Sequence, residues 1–126
     1  MTKIGLFRCP QNEEKCPLTN CFLSLQEQKQ GFSRYEYPRL AGVFTLRESI
    51  EDNLALAKIL KSKGVDVIHF VTCSFSHKDE GKNWYLGNGF FDNVDHIAQK
   101  IAEEIGIPCI KGTAHLPENY SVEVFK

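Results

Sequence analysis

Five cysteines stand in a chain of 126 residues, and three of them, Cys9, Cys16 and Cys21, fall within the stretch FRCPQNEEKCPLTNC (7–21). Thiolates bind soft metal ions and act as nucleophiles in redox exchange, so this crowding points to one of those two chemistries. The spacing Cys9-x6-Cys16-x4-Cys21 is not the C-x2-C knuckle of a zinc finger. A site built from these sulfurs must therefore draw on several segments of chain. Cys73, at the end of the apolar run VDVIHFVTC (65–73), is the candidate fourth thiol, and it is equally well suited to be a small buried hydrophobe. Cys16 and Cys21 have polar neighbours, among them Glu13, Glu14, Lys15, Thr19 and Asn20, which favours chemistry over packing. Cys21 opens a helical pattern, where the positive end of the helix dipole would stabilise a thiolate. His115 and His77 are the imidazoles that could join. Cys109 and His69 lie inside apolar runs and read as core residues, and His96 reads as a solvated helix residue.

The elements that must position these groups follow from hydrophobic period. Four short apolar runs, 3–7, 39–46, 65–73 and 108–114, are apolar at nearly successive positions, as in strands covered on both faces. Between them lie helical patterns. ESIEDNLALAKILKSKG (48–64) places Ile50, Leu54, Ala57 and Leu60 on one face, with acidic residues early and Gly64 as the stop. NVDHIAQKIAEEIG (93–106) repeats the scheme with Asn93 as N-cap, and TNCFLSLQEQKQGF (19–32) is a third helix opened by Thr19 or Asn20. The order β-α-β-α-β-α-β predicts an α/β fold, a three-layer sandwich on a mainly parallel four-stranded sheet of Rossmann-like or flavodoxin-like topology. Ligands of such sheets bind beyond the carboxyl ends of the strands. Cys9, Cys73 and His115 follow three of those ends, and Cys16 and Cys21 follow the first. The stretch 74–92 is expected to be a long irregular loop arching over that edge, with Trp84 and Tyr85 as a lid or an anchor.

Composition narrows the class. Residues 1–126 are expected to form one domain large enough to fold without staples. Fifteen Lys and Arg balance sixteen Asp and Glu, with no basic stripe, so a nucleic-acid partner is not expected. No apolar run reaches the length of a membrane span, and the first residues do not read as a signal peptide. A cytoplasmic protein with free or metallated thiols is the expectation, since an odd cysteine count fits no disulfide framework. Neither a G-x-G-x-x-G nor a P-loop spacing occurs.

The pieces IGLFRC, KCPLTNCF, GVFT, NLALAKILKSKGVDVIHFVTC and IPCIKGTAH, in this order and spacing, resemble the CGGC-domain family across nearly the whole chain. The resemblance implies a cytoplasmic prokaryotic protein with a cysteine-rich metal or cluster site. Matched by position, it implies metal ligation by Cys9, Cys16, Cys21 and Cys73, with His115 as the histidine of the Gly112-Thr113-Ala114-His115 ending. The sequence departs from the family where the naming Cys-Gly-Gly-Cys would follow the second strand: it reads Leu46-Arg47-Glu48-Ser49. The four remaining thiols suffice for tetrahedral zinc.

Three functions are thus expected in turn. The first is binding of zinc or an iron–sulfur cluster, with a metal ion or small molecule as partner. The second is thiol redox chemistry, as an enzyme or a sensor. The third is a non-catalytic binding module that has lost the metal site, with the aromatics Trp84, Tyr85, Phe90 and Phe91 as a contact surface and a homo-oligomer as one outcome.

Overall fold

The computed structural model describes residues 1–91 and 93–126. In chain order the elements are β1 (Thr2–Arg8), α1 (Thr19–Glu27), β2 (Pro38–Thr45), α2 (Ile50–Ser62), β3 (Val67–Phe70), β4 (Ser76–Lys78), β5 (Trp84–Leu86), α3 (Val94–Glu104), β6 (Cys109–Lys111) and β7 (Glu123–Phe125). Five strands form one sheet in the order β2-β1-β3-β6-β7. The first four are mutually parallel, and β7 runs antiparallel to β6 at the edge.

The successive apolar residues of β1 are buried because both faces of the sheet are covered. Ile4 and Leu6 point to one side, with Val67 and Ile110, and pack under Leu25 of α1 and Phe32. Phe7, Ile68, Phe70 and Cys109 point to the other side, under Ala57 and Leu60 of α2 and Val94, Ile97, Ala98 and Ile101 of α3. The Phe7 and Phe70 rings stack there at 5.5 Å. Ser49 caps α2, its Oγ accepting from the Asp52 N–H at 3.3 Å, and Gly64 and Gly106 follow α2 and α3 with positive φ. Asn93 stands at the start of α3 but makes no side-chain cap bond.

Several expectations need correction. The sheet has five strands, not four: the C-terminal β7, three residues long, is too brief to show a period. The third helix is shorter than 19–32. Left-handed Gln28 and Gln30 end it, and a 3-10 turn over Gln30–Phe32 then drops Phe32 into the core. Neither Thr19 nor Asn20 caps α1; left-handed Leu18 precedes it, with no side-chain cap. The segment 74–92 is not wholly irregular, since β4 and β5 pair as an antiparallel hairpin with His77 opposite Tyr85 and Lys78 opposite Trp84. Its last residue, Asp92, lies outside the described residues.

At the edge, Lys111 is nearly buried. Its Nζ lies 2.6 Å from Asp95 and 3.4 Å from Glu123, and 4.8 Å from the centre of the Phe75 ring. The two carboxylates compensate a desolvated ammonium and join α3 and β7 to β6. Among the described residues no helix is long and apolar enough to cross a membrane.

Candidate functional site

Strand β1 sits between β2 and β3, so the chain leaves β1 toward one neighbour and β3 toward the other. That reversal opens a crevice beyond the carboxyl ends of β1 and β3. Phe7 pairs with Phe70 in register. Cys9 and Cys73, two and three residues further on, are thereby brought to the same crevice, and their Sγ atoms are 3.0 Å apart. Segments 64 residues apart in sequence thus supply one pair of thiols.

With Cys9 ionised, the Cys73 thiol donates to it across this contact. The hydrogen bond from Cys73 draws the Cys9 thiol down to about 7 against the upward push of burial, with the Arg8 guanidinium contributing in the same direction. Cys73 shifts the opposite way, because it is the donor in that bond and because its ionisation would set two negative sulfurs side by side in a partly desolvated site. The Arg8 guanidinium is held in place by donating to the carbonyls of Asn12, at 3.1 Å, and Cys16, at 2.7 Å, which also folds the loop between β1 and α1 over the pair.

A cavity of about 610 Å³ lies in front of this pair. Cys73, Cys16 and Cys21 form part of its wall, with Asn12, Thr113 and His115; Cys9 is 1% exposed and sits behind. Cys16 Sγ accepts from the Leu18 N–H at 3.4 Å. Cys21 Sγ is 3.1 Å from Thr113 Oγ1. The helix-dipole expectation for Cys21 does not hold, since burial outweighs it and pushes that thiol up. His115 Nε2 is 2.9 Å from the Asn20 amide, and its ring stacks on Trp84 at 5.4 Å. Burial and the nearby Lys78 keep this imidazole below its ordinary value. His77 also lines the cavity, with Nδ1 committed to the Gly87 carbonyl at 2.8 Å.

The structure therefore brings Cys9 and Cys73 into contact and sets Cys16, Cys21, His77 and His115 around one cavity. Among the described residues, no three His, Cys, Asp or Glu side chains converge as a ligand group. The donor set nevertheless suits a soft ion: two thiols already touch, and two more face the same space. Cys109 is fully buried and its thiol pushed up to about 12, as a core residue would be. His69 is likewise structural.

Sequence reading missed Thr72 and Thr113. The Thr113 N–H donates to Thr72 Oγ1 at 3.1 Å, and the Thr72 N–H donates to Thr113 Oγ1 at 3.3 Å. The two strands stop pairing at this point because hydroxyls replace the ladder. A signal was present, since each threonine stands two residues beyond its parallel strand.

The departure at 46–49 also has a structural explanation. Leu46 is 1% exposed, packed in the core, with its N–H bonded to the Arg8 carbonyl at 2.8 Å. Buried Asn53 ties down the next residues: its Oδ1 accepts from Arg47 N–H and its Nδ2 donates to the Arg47 and Ser49 carbonyls. Packing and capping residues thus occupy the place where the family motif has thiols.

A mostly parallel α/β sheet with thiols gathered at the carboxyl edge defines the class as a cysteine-bearing α/β protein. The sequence profile of the CGGC domain matches residues 3–114, and the chain belongs to the CGGC domain family. It is similar to an uncharacterised protein of Methanocaldococcus jannaschii, 26% identical over 118 residues that cover 88% of this chain and 85% of the relative. No solved structure matches it.

Proposed function

We propose that this CGGC-domain protein binds a thiophilic metal ion, zinc being the ion its donor set suits best, at a site nucleated by Cys9 and Cys73. The observation that carries this reading is the 3.0 Å contact between their sulfurs at the wall of a cavity that two further thiols line. Sulfur ligands of one tetrahedral zinc stand about 3.8 Å apart, from Zn–S bonds of about 2.3 Å. The pair needs to open by less than 1 Å to fit that spacing, on the order set by the same geometry. Cys21 completes the set by exchanging its Thr113 hydrogen bond for the ion. Cys16 turns in from the loop, and the Leu18 N–H then supports a bound thiolate as it supports the free sulfur. His115 stands on the outer rim as an alternative donor. Zinc would act here as a charge centre that holds the β1, β3 and α1 segments together, and its binding would release the thiol protons. The strand order and the helices on both faces favour the flavodoxin-like, three-layer reading of the fold, and free thiols of this kind favour a cytoplasmic setting.

Titration of reduced, chelator-treated protein with zinc against a chromophoric chelator tests the reading. One equivalent bound, with affinity falling at least about tenfold in Cys9→Ser and in Cys73→Ser, is expected. No binding, or binding that both variants retain in full, overturns it. A brown protein with visible charge-transfer bands after anaerobic preparation would replace zinc by an iron–sulfur cluster.

A further inference from the structure

We infer that the same two residues carry a separate activity, dithiol–disulfide exchange with a low-molecular-weight disulfide, in which Cys73 attacks the substrate and Cys9 resolves the product. The inference needs no metal and stands on three geometric facts. The sulfurs already touch, at 3.0 Å. Only one of them, Cys73, belongs to the cavity wall, while Cys9 is shut away behind it. The cavity, about 610 Å³, falls in the range of small-molecule sites.

These facts assign the roles. A disulfide that enters the cavity meets Cys73 first. Cys9, the thiol that ionises first, takes the proton of Cys73 as Cys73 Sγ bonds to one substrate sulfur, and the other leaves as a thiolate. Cys9 Sγ, buried and outside the cavity wall, is 3.0 Å from Cys73 Sγ, near enough for a second displacement. It loses its proton, bonds to Cys73 Sγ and expels the second substrate sulfur. Two protein thiols are oxidised to one disulfide, the substrate disulfide is reduced to two thiols, and the two protons end on those thiols. Closing the pair requires about 1 Å of sulfur travel to reach an S–S bond of about 2 Å. The reaction runs backward in excess low-molecular-weight thiol, which restores the reduced pair.

The cavity wall carries contacts suited to a low-molecular-weight disulfide. Trp84, stacked on His115, and Phe90 line it with aromatic surface, and Asn12 and Asn20 add polar groups.

Anaerobic, metal-free protein incubated with 2-hydroxyethyl disulfide tests this. Wild type is expected to lose two thiols without retaining an adduct, and peptide mapping is expected to link Cys9 to Cys73. Cys9→Ser is expected to accumulate one hydroxyethylthio adduct on Cys73, and Cys73→Ser to react at least about tenfold more slowly. Cys109→Ala, at a buried residue outside the cavity wall, is expected to behave as wild type. A first adduct on Cys16 or Cys21, or wild-type protein that stays fully reduced, overturns the inference. The wild-type linkage map decides the matter even where a serine variant fails to fold. Zinc affinity on the same preparation separates the two proposals: exchange without metal binding removes only the metal reading, and metal binding without exchange removes only this one.

Discussion

Thr72 and Thr113 clasp one another, each offering its hydroxyl oxygen to the other's backbone N–H at 3.3 and 3.1 Å, where β3 and β6 stop pairing. Both residues are buried, so neither N–H has water as a substitute partner. Thr113→Val keeps the shape and removes the acceptor for Thr72 and the partner of Cys21. We expect it to lower unfolding free energy by about 1–3 kcal/mol in urea denaturation, with Thr113→Ser costing less than half of that. A loss in Thr113→Ser with Thr113→Val neutral would show that the methyl group, not the hydroxyl, matters.

His69 gives the fold a pH dependence. Its Nδ1 lies 2.8 Å from the Gly112 carbonyl, which only accepts, so Nδ1 carries the proton and Nε2 accepts from the Tyr35 hydroxyl at 2.7 Å. Burial holds this imidazole down to about 4 from an ordinary 6.5, while the Gly112 bond resists the shift. Between those values the unfolded chain takes up a proton that the folded protein refuses. Stability from this group is therefore complete above pH 6.5 and is lost as pH falls toward 4, in total about 3 kcal/mol. Denaturation profiles of wild type and His69→Gln should differ in slope across that window and run parallel below it. Parallel profiles throughout would contradict the assignment.

Gly31 is fixed by contact, not by dihedral angle. A Cβ there would lie 2.4 Å from the Gly112 carbonyl oxygen, and Gly31 N–H donates to Thr113 O at 2.9 Å. Gly31→Ala must push the 30–32 turn away from the β6 end, and we expect a loss of about 1–3 kcal/mol in thermal or chemical melts. A neutral substitution would mean that the turn is not seated as described.

Cys109 separates packing from chemistry. It is fully buried beside α3, away from the cavity wall. Cys109→Ala should cost about 1–2 kcal/mol of stability while leaving zinc affinity and disulfide exchange unchanged. Loss of either activity at full folding would place this thiol in the site after all.

The legible parts of the chain were those with a strong period. The successive apolar residues of β1 and the spacing of Val94, Ile97 and Ile101 announced their elements directly. The convergence of Cys9 and Cys73 also followed, because parallel neighbouring strands bring their carboxyl ends together. What stayed hidden depends on pairing between distant short segments. Three residues of β4 and three of β5 carry no period of their own, and the Thr72–Thr113 clasp exists only once β3 and β6 are in register. The behaviour of Cys21 was misread for a related reason: its place at a helix start is local, but its burial is set by Thr113 and the cavity floor.

The antiparallel strand at 123–125 lies beyond the stretch that the family profile matches. It pairs with the outer rim of Cys109–Lys111 and adds Glu123 to Asp95 as a second partner of the Lys111 ammonium. Shortening the chain to the matched region would leave an unsatisfied row of peptide groups on a hydrophobic strand, a template for pairing between molecules. With β7 in place, it is this short strand and not the apolar Cys109–Lys111 segment that stands at the border of the sheet.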